Sequence, residues 1–153
     1  MKTIVSFILP ILTLGLTPTN AQTEVPIEDV MFSDKWYNDI DEALANADKV
    51  RYLDLSLQKL RQFPTEILKL KNLTHLYLPF NYFPSIPAEI AQLENLEELD
   101  LSGTYYLNSL PKELANLKNL KKLLIKDNML SQSEEEKIIK LLPNCEVIVS
   151  DHK

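Results

Sequence analysis

Glycine is scarce in this chain, with only 2 among 153 residues. Phosphate-binding loops and doubly wound nucleotide folds need glycines where the backbone approaches the ligand closely. The two histidines, His75 and His152, lie far apart, and no Cys or His pair has the spacing of a zinc site. A nucleophile elbow is also absent. The sequence therefore predicts no enzyme, no metal and no cofactor.

Cysteine is also rare, and basic residues are fewer than acidic ones. A single cysteine, Cys145, excludes an intramolecular disulfide, so packing alone has to stabilise the fold. Lysine and arginine number 16 against 22 aspartates and glutamates, which gives a formal net charge of −6. An acidic excess disfavours nucleic acid and anionic lipid surfaces as partners. We therefore expect neither kind of partner.

The sequence offers no apolar run long enough to cross a bilayer, but residues 1–21 have the pattern of a secretory signal peptide. Lys2 precedes an apolar centre of 13 residues, 4–16, whereas a membrane span takes ~20. The small residue Ala21 suits a cleavage site. We predict export (secreted, periplasmic or at the cell surface) without stable membrane insertion, and a retained anchor is the less favoured alternative. Cleavage would remove Lys2, leaving a net charge of −7 and a flexible lead-in over residues 22–31.

What the chain does contain is a repeat with a period of 23 or 24 residues. Each unit has a Leu-x-Leu step, whose two side chains leave the same face of a short strand. A proline follows, and apolar residues then recur three apart, which predicts a helical or 3₁₀ turn with that proline at its first position. The units occupy residues 50–72, 73–95, 96–119 and, in part, 120–130; their doublets are Leu53/Leu55, Leu76/Leu78, Leu99/Leu101 and Leu123/Ile125, and their prolines are Pro64, Pro87 and Pro111.

One such unit cannot bury its own apolar face, whereas stacked copies share one interior. The recurring Leu-x-x-Leu-x-Leu-x-x-Asn-x-Leu pattern resembles the leucine-rich repeat family, in its 23-residue form with a Leu-Pro step. The resemblance implies an α/β fold, namely a right-handed leucine-rich repeat solenoid. Its parallel concave sheet would have about five strands, with short helical or 3₁₀ turns on the convex side and helical caps at both ends. It also implies protein–protein interaction rather than catalysis.

The asparagine position of the pattern is filled by Asn81 and Asn128, and Gln58 and Thr104 replace it in the other two repeats. Such amides satisfy backbone groups of a neighbouring turn that would otherwise lack partners. The third repeat has one extra residue, within 105–108, which predicts a small bulge in the loop after its strand.

Residues 32–49 are predicted to form the N-terminal cap. Ile40, Ala43, Leu44 and Ala47 have helical spacing, with Asn38 or Asp39 as N-cap. The neighbouring Trp36 and Tyr37 either cover the end of the core or form an exposed binding patch, and we favour the covering role.

Residues 131–153 are predicted to form the C-terminal cap. Ser133 and Glu136 suggest a capping box that opens a helix. Leu142, Cys145 and Val147 repeat the leucine spacing once more, which predicts a terminal strand with Cys145 as a small buried residue.

The predicted binding surface is the concave sheet, because residues beside the inward leucines point outward. Tyr52, Tyr77, His75 and Phe80 would form an aromatic group near carboxylates, which suits a partner protein or peptide with a basic segment. We expect a monomer. The alternatives to a protein-binding function are a structural or adhesive role at the cell surface and the binding of glycans. The predicted rows are Tyr52, His75, Glu98, Lys122 and Asn144; then Asp54, Tyr77, Asp100, Leu124 and Glu146; and last Ser56, Pro79, Ser102, Lys126 and Ile148.

Overall fold

A computed structural model describes residues 35–150 of the chain. Six short strands form one parallel sheet in which each strand pairs with the next one along the chain. The predicted leucine-rich repeat solenoid is thereby confirmed. The sheet has one strand more than the repeats predict, because a strand precedes the first repeat and pairs with it. The strands are β1 (Trp36–Tyr37), β2 (Tyr52–Asp54), β3 (His75–Tyr77), β4 (Glu98–Asp100), β5 (Lys122–Leu124) and β6 (Glu146–Ile148).

The Leu-x-Leu doublets fill the interior of the solenoid. The first leucine of each doublet pairs in register with its counterpart on the next strand. The second lies directly after the strand, and its backbone N–H donates to the neighbouring strand in all four repeats, as Leu55 does to the carbonyl of Tyr77 at 2.8 Å. All eight side chains are fully buried: Leu53, Leu55, Leu76, Leu78, Leu99, Leu101, Leu123 and Ile125. Since side chains alternate along a strand, their neighbours face the open side of the sheet.

Three short 3₁₀ helices form the opposite side of the solenoid, at Thr65–Lys69, Ala88–Gln92 and Lys112–Asn116. Each begins directly after its proline, which is the N-cap and not the first helical residue as predicted. A 3₁₀ helix brings residues three apart onto one side. This geometry explains why the apolar residues at that spacing are buried, as Ile67 and Leu70 are in the first repeat.

Buried asparagine and threonine side chains tie the loops after the strands together. Asn81 is fully buried; its Oδ1 accepts from the N–H of Leu60 at 3.0 Å, and its Nδ2 donates to the carbonyls of Leu55 at 3.0 Å and Leu78 at 2.9 Å. Thr104 is buried in the equivalent place of the third repeat, and its N–H donates to Asn128 Oδ1 at 2.9 Å.

The N-terminal cap is β1 followed by helix α1 (Ile40–Ala45). Asp39 is the N-cap, since its carboxylate accepts from the N–H of Glu42 at 2.8 Å. Trp36 and Tyr37 have different roles because successive strand residues face opposite sides. Tyr37 is only 1% exposed and covers the core, whereas Trp36 is 44% exposed on the open face. The predicted leader, the lead-in and residues 32–34 of the predicted cap lie outside the described residues.

The C-terminal cap is helix α2 (Gln132–Leu141) followed by β6. Its N-cap is Ser131, whose Oγ accepts from the N–H of Glu134 at 3.2 Å, so the predicted capping box at Ser133 is displaced by two residues. The predicted register of the last strand is wrong by two residues as well, because Val147 pairs with Leu123.

A turn explains the shifted register. The N–H of Cys145 donates to the carbonyl of Leu142 at 3.1 Å, so these residues precede the strand. Val147 and Val149 then take the doublet position and pack partly against the core, as β-branched residues do well in strands. Cys145 is therefore half-buried beside the core and does not occupy an inward leucine position.

Candidate partner-binding surface

The sheet register aligns the two principal rows of predicted site residues on the concave face. The first is Tyr52, His75, Glu98 and Lys122, and the second is Asp54, Tyr77, Asp100 and Leu124. All of these side chains are half-buried. The shifted register of β6 ends the rows with Glu146 and Ile148 in place of the predicted Asn144 and Glu146.

Four rings form a continuous aromatic cluster on the concave face: Trp36, Tyr52, His75 and Tyr77. Trp36 lies nearest the centre, with its ring centroid 5.1 Å from Tyr52 and 4.9 Å from Tyr77. The ring of His75 is 4.8 Å from Tyr52 and 6.3 Å from Trp36. These separations lie within the range of favourable ring contacts. Trp36 was not among the predicted site residues, since its two-residue strand lies before the first repeat; a large aromatic side chain just before the cap helix is the signal that points to it.

Phe80 lies outside this aromatic cluster, contrary to the sequence prediction. It follows β3 in a turn, with a left-handed backbone (φ 57°) and a side chain that is 52% exposed. Its ring lies over Gly103, the equivalent position of the next repeat, where a Cβ would come within 2.6 Å of the Phe80 ring. Phe80 therefore belongs to the edge of the sheet and not to its concave face.

Tyr77 connects the aromatic cluster to a carboxylate. Its hydroxyl donates to Glu98 Oε1 at 3.0 Å, and Lys122 Nζ lies 3.7 Å from the same oxygen. Burial, followed by the hydrogen bond to Glu98, raises the pKa of Tyr77 to about 12. The phenol is a neutral donor at physiological pH, and its hydrogen bond contacts the same Glu98 oxygen that faces Lys122.

Asp54 and Asp100 lie on either side of Tyr77 in the second row. One oxygen of each accepts the N–H two residues later, from Ser56 at 2.9 Å and from Ser102 at 2.8 Å, and the Ser56 hydroxyl also donates to Asp54. Within residues 35–150, the second oxygen of each carboxylate makes no hydrogen bond. Both groups can therefore accept hydrogen bonds from a ligand.

The aromatic and acidic side chains of this surface suit the binding of a cation. Aromatic faces attract cations, and carboxylates at their edge strengthen that attraction. Among residues 35–150, no group of three or more His, Cys, Asp or Glu side chains is placed to hold a metal ion. No helix in the same part of the chain is long and apolar enough to cross a membrane.

Comparison with known proteins supports the same fold. The family model described as Leucine Rich Repeat matches residues 95–117, which cover most of the third repeat. The repeats of this chain are leucine-rich repeats. Over 51 residues, this leucine-rich repeat protein is 43% identical to mouse leucine-rich repeat-containing protein 10 and 41% identical to the human protein. These alignments cover 33% of the chain and 19% and 18% of the relatives, so the chain spans about a fifth of the curated relatives it matches.

Two solved structures resemble this leucine-rich repeat protein over most of its length. A leucine-rich repeat protein of Leptospira interrogans matches with 34% identity and a TM-score of 0.50, covering 75% of this chain and 34% of that one. An internalin from Listeria monocytogenes matches with 17% identity and a TM-score of 0.55, covering 86% of this chain and 38% of that one. The internalin match shows a common fold.

Proposed function

We propose that this leucine-rich repeat protein is exported and binds a partner protein or peptide through its concave face, without catalysing a reaction. The family is generally non-enzymatic and commonly binds proteins. The observation that carries the proposal is the aromatic cluster with the carboxylates of Asp54, Glu98 and Asp100 beside it. The pattern of residues 1–21 supports the export.

The chemistry of the surface favours a partner with a lysine or arginine side chain. The adjacent Tyr37 already covers the end of the core, whereas Trp36 is 44% exposed. Covering the core therefore does not explain why a tryptophan occupies this position. Tryptophan, tyrosine and arginine dominate the energetics of protein interfaces. A cation placed over Trp36 and Tyr77 would also meet the unoccupied oxygens of Asp54 and Asp100.

The size of the face limits the partner to a peptide, a loop or one side of a small domain. Neighbouring strands are ~4.8 Å apart, so six strands make a face about 24 Å wide. The Glu98–Lys122 ion pair lies beside the aromatic cluster, where a partner's cation could compete for the carboxylate. Binding should therefore weaken as salt screens the charges.

Capture of partners from the protein's native surroundings, with cross-linking and mass spectrometry, tests the proposed function. Tyr77→Ala and Asp100→Ala should each abolish capture while the circular dichroism spectrum stays unchanged. Glu89→Ala is the matched control, because Glu89 is exposed on a 3₁₀ helix on the opposite side of the solenoid. Capture that survives both concave changes would contradict the proposal, and binding to a glycan array without any protein partner would favour the glycan-binding alternative. N-terminal sequencing of the exported protein should find Gln22 first.

A further inference from the structure

A second surface lies along the loop edge of the solenoid, where one position of the repeat is exposed in every unit. This position comes directly after the asparagine position of the repeat, which Gln58 occupies in the first repeat and Thr104 in the third. The side chains at this position are exposed, whereas those of the leucine doublets are buried. The residues there are Lys59, Tyr82, Tyr105 and Met129.

The extra residue of the third repeat turns this row into a pocket. Phe83 and Leu107 are equivalent buried residues, so Tyr106, directly before Leu107, has no counterpart in the second repeat. The ring of Tyr82 is 6.3 Å from Tyr105, nearly parallel to it at 25°, and also 6.3 Å from Tyr106. We call the resulting depression the tyrosine pocket; its volume is about 500 Å³ and its lining residues are Lys59, Arg61, Tyr82 and Tyr106.

Backbone hydrogen bonds fix the loops that carry the tyrosine pocket. The N–H of Tyr82 donates to the carbonyl of Leu60 at 2.8 Å, between the two basic residues of the pocket. The N–H of Tyr105 donates to the carbonyl of Asn81 at 3.1 Å, and the Asn81 side chain accepts from Leu60. The pocket is therefore largely formed before any ligand arrives, which reduces the entropy lost on binding.

In the part of the chain that the structure describes, the two basic residues of the tyrosine pocket have no acidic partner. Within residues 35–150, neither Lys59 nor Arg61 takes part in an ion pair or a side-chain hydrogen bond. By contrast, Lys35, Lys121 and Lys122 each contact a carboxylate. In this part of the chain, Lys59 and Arg61 therefore lie beside exposed tyrosines with their positive charges available to a ligand.

We propose that the tyrosine pocket binds a carboxylate side chain from an acidic segment of a partner protein. The Arg61 guanidinium can donate two parallel hydrogen bonds to a carboxylate, Lys59 adds a second positive charge, and the phenol groups offer further donors. An acidic protein segment fits better than a neutral sugar, because the pocket places two positive charges, Lys59 and Arg61, beside the rings. The site is opposite in charge to the concave face and is independent of the function proposed there.

Fluorescence anisotropy with a labelled acidic peptide tests the proposal. The probe is a decapeptide of alternating glutamate and leucine, the comparison probe has glutamine in place of glutamate, and both are added to the purified full chain. We expect saturable binding of the acidic probe that weakens with salt, and binding at least about tenfold weaker for the neutral probe. Arg61→Gln and Tyr106→Ala should each weaken the acidic probe about tenfold. Lys112→Gln, at an exposed lysine of a 3₁₀ helix, and Tyr77→Ala on the concave face should leave binding unchanged.

Four results would overturn this inference. Equal affinity for the two probes would exclude carboxylate recognition, and an equal loss in Lys112→Gln and Arg61→Gln would reduce the binding to non-specific attraction. A sulfated oligosaccharide that displaces the probe from wild type but not from Arg61→Gln, and binds more tightly, would assign the pocket to a glycan. Tighter probe binding after Glu24, Glu28 and Asp29 are changed to their amides would show that the chain's own acidic lead-in fills the pocket. Matching thermal unfolding curves for all variants ensure that a lost fold is not mistaken for lost binding.

Discussion

Replacing Asn81 with alanine removes the side chain that connects the first two repeats at the loop edge. The change leaves the N–H of Leu60 and the carbonyl of Leu55 without their hydrogen bonds to Asn81. The carbonyls of Leu78 and Pro79 also lose a bond to Asn81, but they still accept from the Thr104 hydroxyl and from the N–H of Leu57. Asn81 itself is fully buried, so water cannot replace its amide without opening the loops. Asn95 provides a matched control, because its exposed side chain donates only one hydrogen bond, to the carbonyl of Lys71 at 2.9 Å.

The size of the effect follows from the number of buried groups left unpaired. Each buried group without a partner costs about 1–3 kcal/mol, and partial relaxation of the loops reduces the total, so we expect Asn81→Ala to lower the free energy of unfolding by about 3–5 kcal/mol. Asn95→Ala should cost about 1 kcal/mol, since water can satisfy the exposed carbonyl. The loss of stability in Asn128→Ala should lie between these two values. Within residues 35–150, the buried Nδ2 of Asn128 has no partner, so the substitution removes only the hydrogen bond that its Oδ1 accepts from the N–H of Thr104.

Urea denaturation followed by circular dichroism measures these differences as shifts in the midpoint at constant slope. A loss of 3–5 kcal/mol is a large part of the ~5–15 kcal/mol that stabilises a domain, so Asn81→Ala should be close to unfolding at 37 °C. If Asn81→Ala and Asn95→Ala lower the stability equally, the buried amide does not connect the repeats and the reasoning is refuted.

Two further predictions concern the edge of the sheet and the concave face. Gly103→Ala should destabilise the protein by at least about 1–2 kcal/mol, because Gly103 has φ +63° and a Cβ would lie 2.6 Å from the Phe80 ring. In a Phe80→Ala background only the backbone cost should remain, and an equal loss in both backgrounds would contradict the contact. In a pH titration of tyrosine absorbance, Tyr77 should give a step near its pKa of about 12. Since this pKa is raised by folding, the associated stability is complete below about pH 10 and is lost as pH rises towards 12. Glu98→Gln should lower the pKa of Tyr77. If the Tyr77 step does not move, the hydrogen bond to Glu98 does not contribute to the raised pKa.

The repeated parts of the fold are predictable from the sequence because each feature occurs several times in register. The doublet of Leu76 and Leu78 gives both a strand and its inward face, and Pro87 marks the following 3₁₀ helix. The same regularity fixes the concave rows, since pairing Leu76 with Leu99 aligns all their neighbours. Periodicity therefore gives the fold and the rows of the candidate site together.

The predictions that were wrong or incomplete concern elements that do not recur from one repeat to the next. Trp36 lies on a strand that precedes the repeats, and the last strand could be aligned on either Cys145 or Val147 until the turn between Leu142 and Cys145 decided it. Phe80 looks like a concave residue in the sequence, but a left-handed backbone directs it over Gly103. Turns, register and insertions depend on contacts between neighbouring units, which periodicity does not specify.

Fluorescence of Trp36 tests the concave binding surface most directly, because Trp36 is the only tryptophan of the chain and belongs to the aromatic cluster. Titration with a short lysine-rich peptide should change its emission saturably, and the change should weaken with salt and disappear in Tyr77→Ala. An emission spectrum that the peptide leaves unaltered, or that changes equally in wild type and Tyr77→Ala, would contradict recognition of a basic segment at this face.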